Sequence, residues 1–296
     1  MSRLLALSAA VALSVLGLSS ACGADAASDT AQTFRFTLEP GNREGEVQAS
    51  FRKAGRDTHN WSSSLAAGEL VGLDRAPLAA PDSHPVAFAI VREAGRLDCA
   101  GKGGNGMAAG TCRFAADRSF TDLLATRGIG HPDEGEAFGL MAVDARRELI
   151  ESLAAADYAV PSVGQLIALS ALHVSERYIG ELASIGYRPG TLDELVQFAA
   201  LGITPAFVEG FTRIGYRDIP AGELIQLKAL DITPEFVASF RALGYEHLGV
   251  HQLVQLKALK ITPDDVRALQ RERTGLPSTE DLVRLRALGY LPATRG

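Results

Sequence analysis

The sequence predicts an α+β protein: an N-terminal antiparallel β domain with one disulfide hairpin, followed by an α-solenoid of helical-hairpin repeats. Apolar and polar residues alternate with period two in short runs between Thr33 and Phe114. Two cysteines flank an Asn-Gly turn, and from Ser119 onward the chain repeats itself every 29 residues.

Residues 1–26 have the form of an export signal: Arg3 gives a positive start, Leu4 to Leu18 an apolar run, and Ala24-Asp25-Ala26 a small-residue cleavage site. That run is shorter than the roughly 20 residues a membrane-spanning helix needs. Ser19-Ser20-Ala21-Cys22 loosely resembles a lipoprotein signal, with Ser19 where that pattern wants Leu. The expected location is therefore periplasmic or secreted, with lipidation at Cys22 and an outer-membrane anchor as the alternative. The expected division is 1–26 signal, 27–117 β domain and 118–296 repeats. A hydrophobic content of 47% suffices for real cores. The formal charge of −6 survives removal of the signal, which carries one Arg and one Asp, and it weighs against a nucleic-acid partner.

Within the β domain, Phe34 to Leu38 and Val47 to Phe51 alternate, and Val86 to Val91 is a stronger strand. Ser62 to Asp82, rich in Ala, Leu and Pro, is left open between a short helix and a long loop. A type I′ turn at Asn105-Gly106 pairs residues whose numbers sum to 211, so Cys99 faces Cys112 and Leu97 faces Phe114. The cysteines fall on a non-hydrogen-bonded pair, where Cα atoms lie about 4.5 Å apart and a bridge is feasible. Gly101 to Gly106 spells the dinucleotide fingerprint G-x-G-x-x-G, but no helix is predicted after it to present an N-terminus to a pyrophosphate.

The repeats are marked by Val174-Ser175-Glu176, Ile203-Thr204-Pro205, Ile232-Thr233-Pro234 and Ile261-Thr262-Pro263. Thr or Ser fits an N-cap, Pro fits the first helical position, and Ile203 with Val208 or Ile232 with Val237 forms a hydrophobic staple. Gly186-Tyr187, Gly215-Tyr216 and Gly244-Tyr245 fit helix ends, with Gly in the left-handed position and Tyr against the helix's last turn. A second helix per unit opens with Thr191 and Glu194 or Ser162 and Gln165 at capping-box spacing, and carries Leu166, Leu195, Leu224, Leu253 and Leu282 in register. Ala142, Ala171, Ala200, Ala229, Ala258 and Ala287 are expected where two helix backbones approach closely. About six units run from Ser119 to Tyr290. One hairpin cannot bury both apolar faces, so neighbours are expected to stack.

Two polar ladders are candidate partner-binding rows: Gln197, Gln226, Gln255 and Arg284, and beside them Lys228, Lys257 and Arg286. A basic row in an acidic protein suits an acidic peptide or an anionic polymer; its plainer reading is a solvated helix face. No H-E-x-x-H, G-x-S-x-G or P-loop motif occurs, and no catalytic residue, cofactor or metal is expected. His247 and His251 are separated by a predicted loop, and His131 with Asp133, Glu134 and Glu136 lacks a metal-ligand pattern. The terminal helix, Glu280 to Leu288, is a candidate self-association surface.

Residues 85–290, most clearly Ile203 to Tyr216 and Ile232 to Tyr245, resemble uncharacterised exported bacterial proteins with units reading L-T-P-x-F-V-x-x-L-x-x-L-G-Y. Val91 to Gly95 and the glycine hairpin also look like that family. Similar repeats are attached to membrane metallopeptidases of the β-lactam-sensor type. The resemblance implies sensing or scaffolding in the cell envelope and carries no catalytic residues. The expected function is non-catalytic binding of an envelope protein or peptide by the repeat surface; the alternative is binding of a small ligand or envelope glycan by the β domain.

Overall fold

The computed structural model describes residues 32–53, 60–272 and 275–291; the expected export signal and Cys22 lie outside them. Six strands form one antiparallel sheet: β1 (Gln32–Pro40), β2 (Glu46–Lys53), β3 (Asn60–Ala66), β4 (His84–Arg92), β5 (Gly95–Gly104) and β6 (Met107–Ala116), in spatial order β3-β2-β1-β6-β5-β4. A short helix, α1 (Ala76–Ala79), joins its two halves. The region left open in the sequence thus begins as a strand. Ser62 and Ser64 alternate with Trp61, Ser63 and Leu65, and the serines hide a period-two pattern that pairing with β2 makes real.

The predicted hairpin register holds. Cys99 faces Cys112 in a disulfide with Cα atoms 4.0 Å apart, and Leu97 faces Phe114. Asn105 and Gly106 both have positive φ, 54° and 83°, as a type I′ turn demands, and a strand follows the glycine-rich tip. One sheet face is a packed core of Phe34, Phe36, Phe51, Phe88, Leu97 and Phe114. Gly110 makes room for it: a Cβ there would stand 2.7 Å from the ring of Phe36, which packs edge-on against Phe88.

Twelve helices follow the sheet. The first of each pair are α2 (Arg118–Thr126), α4 (Arg147–Ala155), α6 (Glu176–Ser184), α8 (Pro205–Arg213), α10 (Pro234–Arg241) and α12 (Pro263–Glu272). The second are α3 (Glu134–Ala142), α5 (Val163–Ala171), α7 (Leu192–Leu201), α9 (Ala221–Ala229), α11 (Val250–Ala258) and α13 (Thr279–Ala287), and each of these packs on the next. Leu166, Leu195, Leu224, Leu253 and Leu282 are fully buried in that row. The sheet joins it through α3, whose Phe138 stacks on Phe34 at 4.1 Å and meets Phe114 edge-on at 5.5 Å. The buried side chains form one continuous cluster from sheet to helices.

The helix ends follow the predicted chemistry. The hydroxyls of Ser175, Thr204, Thr233 and Thr262 accept the backbone N–H three residues on, and Thr191 with Glu194 and Ser162 with Gln165 close capping boxes. At the C-termini, Tyr187 N–H donates to Leu182 O and Gly186 N–H to Ala183 O, a Schellman pattern repeated at Gly215-Tyr216 and Gly244-Tyr245. The tyrosines do more than contact their own helix. The hydroxyls of Tyr187, Tyr216 and Tyr245 donate to the carbonyls of Ile219, Leu248 and Pro277, 32 residues ahead, just before the next unit's second helix. Burial pushes the phenols of Tyr187 and Tyr245 up to about 12.

The alanine column is a correction. Ala142 is buried, but Ala171, Ala200, Ala229, Ala258 and Ala287 are exposed in the last turn of their helices. The buried column lies two residues earlier, at Leu140, Leu169, Phe198, Leu227 and Leu256. Strong helix propensity suits Ala to an exposed last turn without any close packing.

Candidate functional site

The basic row is engaged within the protein. Lys257 Nζ donates to Asp231 O at 2.8 Å, and Arg286 donates to Lys260 O at 2.9 Å and to the buried carboxylate of Asp265 at 2.9 Å. Lys228 Nζ lies 5.0 Å from the ring centre of Phe207, as Lys257 lies 5.1 Å from that of Phe236. Asp231 and Lys260 are left-handed residues at the end of a second helix, part of a series with φ between 51° and 76°: Asp144, His173, Gly202, Asp231, Lys260 and Gly289. A cation from the following unit therefore satisfies a carbonyl at the negative end of the helix before it. Arg188 does the same at Ala156 O and Asp157 O while lying over Tyr158, and Arg241 does so at Ile214 O. The neighbouring row differs. Gln197, Gln226 and Arg284 are exposed, and Gln255 is half-buried.

The sheet supplies the first of these cations. Arg92, at the end of β4, donates to Met141 O and Ala142 O of α3 at 2.9 and 2.6 Å, pairs with Glu69 at 2.9 Å, and lies over Trp61. Around this rivet opens a cleft of about 750 Å³ between β3 and the ends of α3 to α6. Trp61, stacked on Phe51 at 4.9 Å, forms one wall with Ser63, Ser64 and Leu65; Arg146, His173 and Arg177 stand on the other side. Ser170 lines the cleft, 7% exposed, with no hydrogen-bond partner for its Oγ among the described residues.

The cleft wall is also an edge of the sheet with no further strand on it among the described residues. Ala67 N–H donates to Gly45 O at 2.9 Å, which sets the ladder phase: the odd residues of β3 bond to β2, and Asn60, Ser62, Ser64 and Ala66 turn their N–H and C=O outward. Glu69 takes the Ala66 N–H at 3.0 Å. The backbone donors of Ser62 and Ser64 remain on an edge that one further strand fits. No sequence motif marks this site, because its parts come from a serine-rich strand and four helix ends far from it in the chain.

The other candidates have structural roles or stand apart. Cys99 and Cys112 are bonded to each other. Asp133 and Glu136 near His131 form the capping box of α3. His251 lies on α11 while His247 precedes it, and no group of three or more potential metal ligands occurs among the described residues. No single described helix is long and apolar enough to cross a membrane. In the last unit Leu288 and Tyr290 are 62% and 72% exposed. Comparison with family models, with curated proteins and with solved structures finds no match to this chain.

Proposed function

We propose that this chain is a non-catalytic binding protein of the cell envelope, in which an extended peptide segment of a partner protein adds to β3 within the cleft. In this reading residues 118–296 are a solenoid that holds one cleft wall in place and extends the surface beyond it. The observation that carries it is the coincidence of a free strand edge, at Ser62 and Ser64, with a cleft wall that includes Trp61. Backbone bonds to the edge give affinity, and the ring and flanking cations give selectivity. The resemblance to exported repeat proteins and the form of residues 1–26 support the envelope setting. Lipidation at Cys22 is the alternative for how the chain is held there.

The chain's only tryptophan lies in the cleft, so its fluorescence reports occupancy directly. Peptides recovered by crosslinking in the cell envelope should shift Trp61 emission on titration. Ser62→Pro with Ser64→Pro, which removes the outward N–H groups, should weaken binding about tenfold or more. Unchanged affinity in that variant, with crosslinks mapping to α9 and α11, would transfer the role to the helical surface. The exposure of Gln197, Gln226 and Arg284, one and then two 29-residue periods apart, favours that second reading.

A further inference from the structure

Among the described residues no helix covers the sheet face turned away from α2–α13, and its charge is opposite to that of the chain as a whole: Arg35, Arg52, Arg96, Lys102 and Arg113 outnumber Glu39, Glu46 and Asp98 there. Arg35 on β1 stands directly across from Arg52 on β2, and Arg113 on β6 follows two residues after Thr111, the other partner of Arg35. All three are exposed, and none has an ion pair or hydrogen bond among the described residues. By contrast Arg43, Arg92, Arg96, Arg146 and Arg147 each hold a carboxylate. Asp98 is opposite Arg113 in register, yet both its oxygens are taken by Arg96 Nε at 2.8 and 2.9 Å. Like charges facing each other on neighbouring strands, with Cβ atoms about 5 Å apart, destabilise a sheet. The Arg35–Arg52 pair thus carries a cost with no gain inside the protein, in a chain of net charge −6.

The surroundings define what would neutralise it. Between and beside the arginines lie Thr37, Thr111, Ser50 and Ser62, and small residues such as Ala87 and Ala100 leave a shallow trough of about 510 Å³ along Arg113. The sheet's aromatic rings, Phe34, Phe36, Phe51, Phe88 and Phe114, are all packed on the other face, so this one has no stacking platform for bases. Nor does any large apolar side chain stand between the arginines to enter a bilayer. We propose that this face binds an acidic polysaccharide, its carboxylates or sulfates meeting Arg35, Arg52 and Arg113 and its hydroxyls meeting the Ser and Thr side chains. The site lies on the opposite side of the sheet from the peptide cleft and shares Ser62 with it, whose backbone faces the cleft edge while its arginine neighbours lie outside the cleft.

Titration of the exported chain with polygalacturonate should show binding that weakens steeply with salt. Arg35→Ser with Arg52→Ser and Arg113→Ser should lose about tenfold or more in affinity and flatten the salt dependence. Its thermal midpoint should be unchanged or higher, and Trp61 should still respond to a cleft peptide. Arg113→Ser alone should give an intermediate loss. Absence of wild-type binding, equal affinity in the triple variant, or tighter binding to phosphatidylglycerol vesicles or to an oligothymidylate would each overturn the proposal.

Discussion

The sheet and the helical run solve the problem of cohesion in different ways. In the sheet, β1 pairs with β6 across some seventy residues of intervening chain, the rings of one face form a shared core, and a disulfide pins the β5–β6 hairpin. In the helices a short list of local links recurs between neighbouring units: a buried leucine row, a tyrosine reaching forward at Tyr187, Tyr216 and Tyr245, and a cation reaching back at Lys257 and Arg286. Damage to the sheet should therefore be felt by all of it, whereas damage to one helical unit should stay near that unit.

The largest effects should separate these two modes. Phe138→Ala removes the ring that joins α3 to Phe34 and Phe114, and should cost about 3–5 kcal/mol in chemical denaturation, with faster hydrogen exchange throughout the sheet. Phe211→Ala deletes an equally buried ring in α8 at similar cost, but its faster exchange should centre on α8 to α10. Equal opening of the sheet by Phe211→Ala would break the contrast. Next in size, Cys99→Ser with Cys112→Ser should lower stability by about 2–4 kcal/mol, with increased exchange in β5 and β6 and none in α7 to α13.

Smaller effects test the links between units. Tyr216→Phe leaves Leu248 O without its donor and should cost about 1 kcal/mol. Because the phenols of Tyr187 and Tyr245 are raised to about 12 in the fold, the neutral form is the one the fold favours. Their contribution is complete below pH 10, the ordinary tyrosine value, and should be lost as pH rises from there through about 12, which an alkaline denaturation series would follow. Tyr187→Phe with Tyr245→Phe should flatten that loss. Smallest of all, Lys260→Gly relieves a left-handed non-glycine residue and should raise stability by about 0.5 kcal/mol in thermal unfolding, while Gly202→Ala at the equivalent position should lower it by about 1 kcal/mol.

The same contrast governs what the sequence made legible. The N-caps at Thr204 and Thr233, the Schellman ends at Gly215 and Gly244 and the hairpin register at Cys99 are all local, and local chemistry fixes them within a few residues. Repetition strengthened the helical signals further. It misled at the alanine column, since a recurring residue reveals a shared position without revealing what that position touches. The strand at Asn60–Ala66 was obscured because serines on an exposed face carry no apolar alternation, and the cleft beside it depends on residues from 61 to 177 meeting in space. The roles of Lys257 and Arg286 were hidden too: spacing marked a row, and only the fold discloses that its cations complete the ends of earlier helices.

The two reaches between units differ from the 29-residue period by the same amount, three residues more for the tyrosines at 32 and three fewer for the cations at 26. An insertion or deletion within residues 231–257 or 260–277, unless it is a whole unit, falls under a tyrosine reach and a cation reach together and would pull both donors from their carbonyls. Growth or contraction of this region is thereby quantised: a lineage can gain or lose whole units, and the surface they present, while single-residue changes in length there meet opposition from both directions along the chain.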